Sequence, residues 1–470
     1  MKIQPCEVLG EERAQEIIRA ARALLEQIGI RVIGPELQRS LKQTEAFRQK
    51  DGRWLIDGAQ FDAFADRWRS RPLPQPHTRL EGESSFYSSF LRDAHSGLVA
   101  KMTTERLRKM TLFGEKVAMR YPLSPVVPGY PTDVPGELSS LMRYKLALEL
   151  CSRDVVPTPD AVFASDYMFA MAQAAGKKMD RLPVYPISPL TLGGDSAEIV
   201  LRHNDKLESF YVFTMPLMGV TAPMHITMGY AMAFAETVGS AILMEAMTGV
   251  SADIRPNLDP TDLRHMSIAF GTSLKFFLEQ AGYELLSAFR GEPFPRASVN
   301  IHTLAKECDA RAAMEKGMLM LAGALQGARK FYCVGTLSLD ELFDPLQLLM
   351  DLEMLGYVQN FLDGPLSERM EPEFVEEVCE GLSSGFACSD RTLEEYQSYL
   401  PLPCFAEATS WQSWNAGGAK GTLERLRERY DEIDALSYTP SIIPDVQRAL
   451  DTIYAEAEQE LRSRQNGIKA

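Results

Sequence analysis

The side chains best able to do chemistry follow short apolar runs. Asn300 and His302 close the run 297–301, Asp253 and Arg255 close 250–254, and Asp262, Arg264 and His265 crowd the loop beyond. The carboxylates and imidazoles could act as acid–base groups, and the guanidiniums could meet an anion. His225 ends the stretch 215–225 that follows the run 209–214. Each has a plainer reading. A single histidine at a strand end is commonly a satisfied structural group, and Asp262 with Arg264 can simply tie their own loop. Met224, Met228 and Met232 share a helical face, which reads as core filling by flexible thioethers. No His-x-His or His-Glu-x-x-His spacing occurs, so a zinc site is not expected. Gly193 and Gly194 lack the flanking pattern of a phosphate loop, and no Gly-x-Ser-x-Gly elbow occurs.

The elements that must position these groups emerge from the hydrophobic pattern. Short apolar or β-branched runs fall at 98–101, 124–128, 154–158, 182–188, 209–214, 250–254, 297–301 and 330–334. Segments of helical period alternate with them, at 103–118, 136–151, 160–176, 196–206, 225–247, 272–288, 309–326 and 340–359. The fold class is α/β. Units in this order favour a closed parallel (β/α)8 TIM barrel over separate small domains, although an open doubly wound sheet has the same local pattern. In the barrel, reacting groups sit at the C-terminal ends of the strands, where the residues above fall.

Residues 1–96 read as an N-terminal α/β extension and linker, with 97–364 as the barrel. The extension opens on a helix whose apolar face is Ala14, Ile17, Ile18, Ala21, Leu24, Leu25 and Ile28, ended by Gly29, and includes a proline-rich passage at 71–76. Residues 365–470 read as a helical C-terminal extension, with acidic helical segments at 372–381, 423–436 and 445–462.

A chain of 470 residues has room for a barrel plus extensions. Its 49 basic against 64 acidic residues leave a net charge of −15, which disfavours nucleic acid or an anionic membrane as partner. Seven cysteines without a Cys-x-x-Cys spacing suit a reducing cytoplasm rather than a disulfide framework. The apolar stretch 211–249 is broken by Pro216, Pro223, His225, Glu236 and Glu245, so it reads as a buried strand and buried helix rather than a membrane span. The charged, helical start predicts no signal peptide.

Several runs, in order from about residue 11 to 460, resemble the trimethylamine methyltransferase family. They are the opening helix leading into 25–30; the run 216–223 followed by Ala235 and Glu236; Asp262 and Arg264 with Ala269, Phe270 and Gly271; Asn300 followed by Asp309 and Ala310; 352–356; and Trp411 and Trp414 with Gly417 and Gly418. The sequence departs from the family pattern at His225, at His265 and Met266, and in a longer stretch between Asn300 and Asp309.

The resemblance implies a barrel whose mouth binds a methylated amine and docks a separate corrinoid protein, with no cofactor held tightly by this chain. With no pyrrolysine written, it implies a quaternary amine of the glycine betaine, carnitine or proline betaine type as methyl donor. The expected catalytic set is His302, Asn300 and Asp262. The expected substrate-binding set is Tyr87, Tyr130, Tyr185, Phe213, His225, Arg255 and Tyr332, with rings for the cation and Arg255, Asn300 or His302 for a carboxylate. A homo-oligomer is expected. A competing expectation is a barrel lyase or hydrolase using Asp253, Asp262 and His302, and another is a homologue that binds methylamines without turnover.

Overall fold

The computed structural model describes residues 7–73, 78–84, 87–155, 158–364, 372–399 and 402–468. The proline-rich passage at 71–76 and the strand expected at 154–158 fall partly on residues 74–77 and 156–157, which lie outside the described residues.

The fold is α/β, built on two parallel arcs. Seven strands form them: β1 (Glu81–Ser84), β2 (Leu123–Ser124), β3 (Arg181–Val184), β4 (Ser209–Phe213), β5 (Ser251–Arg255), β6 (Ser298–Asn300) and β7 (Lys330–Val334). One arc has the order β3–β4–β5 and the other β6–β7–β1–β2. The earliest strand therefore lies between the last and the second. Among the described residues the ladder is not continuous from β2 to β3 or from β5 to β6, and no closed barrel is formed.

The expectation of a first strand at 98–101 needs correction. Val99–Lys101 is there, but it pairs antiparallel with Phe90–Arg92. The first parallel strand is the sequence Glu-Gly-Glu-Ser, which carries no apolar signal. Gly82 is there because a Cβ would lie 3.0 Å from Leu352 and 3.1 Å from Val334, while Glu81 and Glu83 point to the other face.

The helices fall where the period places them. Thr104–Ala118, Gly136–Leu150, Val162–Ala174 and Asp195–Arg202 come first; α1 (Ile226–Thr248), α2 (Ser273–Arg290), α3 (Ala310–Leu325) and α4 (Pro345–Asp363) follow β4 to β7 in turn. Helix α1 is long and apolar enough to cross a membrane, yet most of it is buried in the protein. The N-terminal segment explains why. Helix Glu11–Gln27 packs on it, and Gly239 admits Leu25 and Ile30 so closely that a Cβ would lie 2.6 Å from Leu25. Ile30–Val32 pairs parallel with Thr191–Leu192, tying the same segment to the loop after β3. Fully buried Glu236 of α1 holds that loop from the other side, accepting from Ser188 Oγ (2.5 Å) and Leu190 N (2.6 Å).

Beyond α4 the chain is helical, as expected. Thr422–Asp434 and Pro444–Ile468 pack against the body, whereas α5 (Phe374–Ser384) and α6 (Asp390–Tyr399) are exposed along most of their length. Helix α6 is not foreshadowed by the period.

Candidate functional site

In a parallel strand alternate side chains take opposite faces. In β4, Phe210 and Val212 are buried, which leaves Tyr211 and Phe213 on the other side. In β5 the same alternation buries Ala252 and Ile254 and leaves Asp253 and Arg255. Register places Tyr211 beside Asp253 and Phe213 beside Arg255. In the second arc Asn300 lies beside Tyr332, and Tyr332 beside Glu83. The arcs face each other, because the Tyr332 hydroxyl feels the charge of Arg255 and the phenol of Tyr211.

Rings gather beside these strands. Tyr87 and Tyr130 lie 6.0 Å apart, and Tyr185 meets Phe213 edge-on at 6.4 Å. Tyr185 also hydrogen-bonds Tyr87 and Tyr211, which joins the rings into one cluster. Three arginines lie over ring faces, Arg143 at 4.4 Å from the Tyr130 centroid, and Arg255 at 4.9 Å and Arg181 at 5.5 Å from that of Tyr211. Tyr130 donates to Asp160. Tyr87 keeps 42% of its surface open, yet its hydroxyl is desolvated among the other phenols and its pKa is pushed up to about 12. Burial likewise raises Tyr130, Tyr185 and Tyr332, so the phenols stay protonated at neutral pH.

The charges around the cluster are mostly matched. Glu83 pairs with Lys330 at 2.5 Å, Glu81 with Arg153 at 2.5 Å, and Asp253 with Arg181 at 2.7 Å. Arg255 is the exception: among the described residues it has no hydrogen bond and no carboxylate partner. It lines a cavity of about 510 Å³ with Phe213, Asn300 and Tyr332, in the gap between β5 and β6.

The structure thus unites most of the expected binding set. Phe213, Arg255, Asn300 and Tyr332 share the cavity, and Tyr87, Tyr130 and Tyr185 join them through Tyr211. Tyr211, Arg143 and Asp160 are absent from the sequence-based set. The signal for Tyr211 is its place two residues before Phe213 on one strand; nothing local marks the other two.

The remaining expected residues sit elsewhere. His302 is buried, stacked on Phe270 at 4.4 Å, with Nε2 3.2 Å from Cys333 Sγ. Burial, helped by the cations Lys275 and Lys316, depresses its pKa to about 3, so it is neutral and a poor proton donor. Asp262 is taken up by its own loop, accepting from Arg264 Nε (2.9 Å), Arg264 Nη2 (3.0 Å) and His265 Nδ1 (3.0 Å), which hold its carboxyl well below the usual range. The loop-tying reading describes it. His225 is exposed at the start of α1, with Nδ1 2.8 Å from Thr227 Oγ1. Asp253, Asp262 and His302 do not converge as an acid–base set. Among the described residues no group of three or more His, Cys, Asp or Glu is placed to hold a metal ion.

The core-filling reading holds only for Met232. Met224 and Met228 are exposed, and with Met215, Val220, Leu263 and Met266 they give the strand-end loops an apolar rim. The two loops touch near Gly219, where a Cβ would lie 3.3 Å from Met224 and 3.4 Å from Leu263.

A family model described as trimethylamine methyltransferase (MTTB) matches residues 166–462. Trimethylamine methyltransferase MttB of Desulfitobacterium hafniense (strain DSM 10664 / DCB-2) is 25% identical over 303 residues, covering 62% of this chain and 59% of that protein. The chain thus matches less than two thirds of this relative's length. Among solved structures, the Methanosarcina barkeri monomethylamine methyltransferase (MtmB) aligns with a TM-score of 0.46 at 12% identity, covering 93% of this chain and 96% of that one. A hydroxylamine complex of MtmB aligns with a TM-score of 0.46 at 11% identity and the same coverages, 93% and 96%.

Proposed function

The chain belongs to the trimethylamine methyltransferase (MTTB) family, and from that premise we propose that it is an enzyme moving a methyl group from a small quaternary amine to the Co(I) corrinoid of a separate partner protein. The observation that carries this reading is the cluster of Tyr87, Tyr130, Tyr185, Tyr211, Phe213 and Tyr332 beside Arg255, which has no carboxylate partner among the described residues. A quaternary ammonium is a bulky cation attracted to ring faces. Here Arg143 and Arg255 already cover Tyr130 and Tyr211, so a bare cation would meet like charge. An amine with its own carboxylate would not. Its carboxylate would pair with Arg255 and accept from Asn300, leaving the methylated nitrogen to Tyr185 and Phe213, since Lys330 already lies over Tyr332. We therefore assign the substrate to the betaine class, of which glycine betaine, carnitine and proline betaine are small examples.

A quaternary nitrogen needs no proton to leave. As the methyl carbon bonds to cobalt, the electron pair of the broken C–N bond stays on nitrogen and the departing tertiary amine is neutral. The chain's own share is to orient the donor and strip it of water. Protonated phenols and a neutral His302 suit a transfer without acid–base help. The corrinoid is a substrate presented by the partner, and the apolar rim of Met215, Met224, Met228 and Met266 is fit to receive a protein over the mouth. We read the two arcs as parts of one (β/α)8 barrel, and place the enzyme in the cytoplasm, where its free cysteines stay reduced.

The test is incubation with a panel of methylated amines, a corrinoid protein and a reductant, followed by the corrinoid spectrum. Methylation from a carboxylate-bearing quaternary amine, but not from tetramethylammonium, is the expected result. Binding without methylation by any amine would leave a non-catalytic homologue; amine-dependent release of another product would favour the lyase or hydrolase.

A further inference from the structure

The cavity that holds Arg255 is longer than a small amine needs. Its wall on α2 is formed by Glu279, Gly282, Tyr283, Leu286 and Arg290, one side of the helix over about three turns, or about 17 Å at the rise of a helix. Both faces of the neighbouring strands contribute. On β5 the cavity touches Arg255 and Asp253 but also Ile254, and on β6 Asn300 and Ser298 but also Val299. Side chains of opposite strand faces share one cavity where it passes between the strands, and among the described residues the ladder is interrupted between β5 and β6. The lining also runs the length of the strands. Arg255 and Asn300 stand at their C-terminal ends, whereas Arg181 opens β3 and Ala297 precedes β6. Beyond these lie Pro72 and Leu73 with Phe294 and Pro295. Pro72 is exposed and the other three are half-buried, so the far end reaches the surface away from the methionine rim of the strand-end loops.

Charge along this route is already matched. Arg181 pairs with Asp253 at 2.7 Å, Arg71 with Glu245 at 3.1 Å, Arg290 with Glu292 at 2.6 Å and Glu279 with Arg296 at 2.6 Å. A carboxylated amine therefore meets no unmatched charge that would hold it short of Arg255 among the described residues. We propose that the cavity is a passage. Resting on the methyl-transfer reading, the small amine reaches Arg255, and its demethylated product leaves, between β5 and β6 rather than through the mouth. The corrinoid partner then stays seated on the apolar rim while amines exchange beneath it. Product release often limits turnover, and a partner obliged to leave in every cycle would add to that limit.

The test places a thiol in the passage by Ala297→Cys in the full chain, a small change outside the ring cluster. The new thiol is expected to be alkylated by N-benzylmaleimide, read by mass spectrometry of its peptide beside wild type treated alike. With glycine betaine or carnitine as donor and the corrinoid partner saturating, the benzyl adduct should slow methyl transfer by roughly 10-fold or more, and carnitine, the larger, more than glycine betaine. The smaller adduct of iodoacetamide should slow it less. The Kd of either donor, measured by calorimetry, should stay within about twofold, because a narrowed route slows entry and exit alike. A thiol that does not react overturns the proposal, as does an alkylated chain that turns over as fast as the untreated one. A Kd that weakens in step with the rate overturns it too, since the adduct then disturbs the site and not the route. No transfer from any methylated amine by untreated wild type sinks the methyl-transfer reading, and the exchange with it, whether or not the thiol reacts.

Discussion

At the scale of single residues, Arg255 and His302 separate what a sequence can announce from what it cannot. Arg255 follows from its place at a strand end, and among the described residues it has no carboxylate partner. Arg255→Ala should lower kcat/KM for a betaine by about 10- to 100-fold, the cost of one charge-assisted bond, and raise KM more than it lowers kcat. Arg255→Lys should recover only part, because the planar fork is lost; steady-state kinetics on one carboxylated and one uncarboxylated donor checks both. His302 looks equally chemical in the sequence, but its neighbours Phe270, Cys333, Lys275 and Lys316 come from distant segments, and only they make it a buried neutral ring. Its pKa of about 3 in the fold lies below the ordinary 6.5, so the unfolded chain binds a proton that the native one refuses. Its contribution to stability is complete above pH 6.5 and is lost as pH falls toward 3, by about 1.4 kcal/mol per unit. Melting curves from pH 7 to 4 should fall more steeply for wild type than for His302→Gln, a comparison in which the other titrating groups cancel. Equal slopes would mean the ring is not held neutral.

At the scale of elements, the apolar strands and their helices are legible because strand face and helix face follow different periods. The strand Glu81–Ser84 is not, because Glu81 and Glu83 take one face and only Gly82 and Ser84 the buried one, so no apolar side chain marks it. Gly82→Val should therefore cost about 1–3 kcal/mol by overpacking against Leu352 and Val334, visible as a lowered denaturant midpoint. Equally hidden is the pair Lys316–Asp351, both fully buried at 2.6 Å, which links α3 to α4. Asp351 also accepts from Gly335 N at 2.8 Å and Gln347 Nε2 at 2.8 Å, and Lys316 donates to the Cys333 carbonyl at 3.0 Å. Asp351→Ala should destabilise by about 3–5 kcal/mol through the stranded lysine, and the double variant Lys316→Met, Asp351→Leu should recover most of it. Urea titrations of the three variants would decide.

At the scale of the whole molecule, the order of the strands has a consequence for how the protein is made. Strand Glu81–Ser84 leaves the ribosome early, yet its longest partner is Lys330–Val334, which emerges only after the apolar helix Ile226–Thr248. Until then the nascent chain carries an unpaired sheet edge, a state prone to aggregation. The N-terminal helix Glu11–Gln27 is made first and already waits to cover that apolar helix as it appears. A chain stopped at residue 329 should accordingly resist protease along the helices Glu11–Gln27 and Ile226–Thr248 but lose its first strand to digestion, and stalled ribosomes bearing it should recruit chaperones until the next few residues are added.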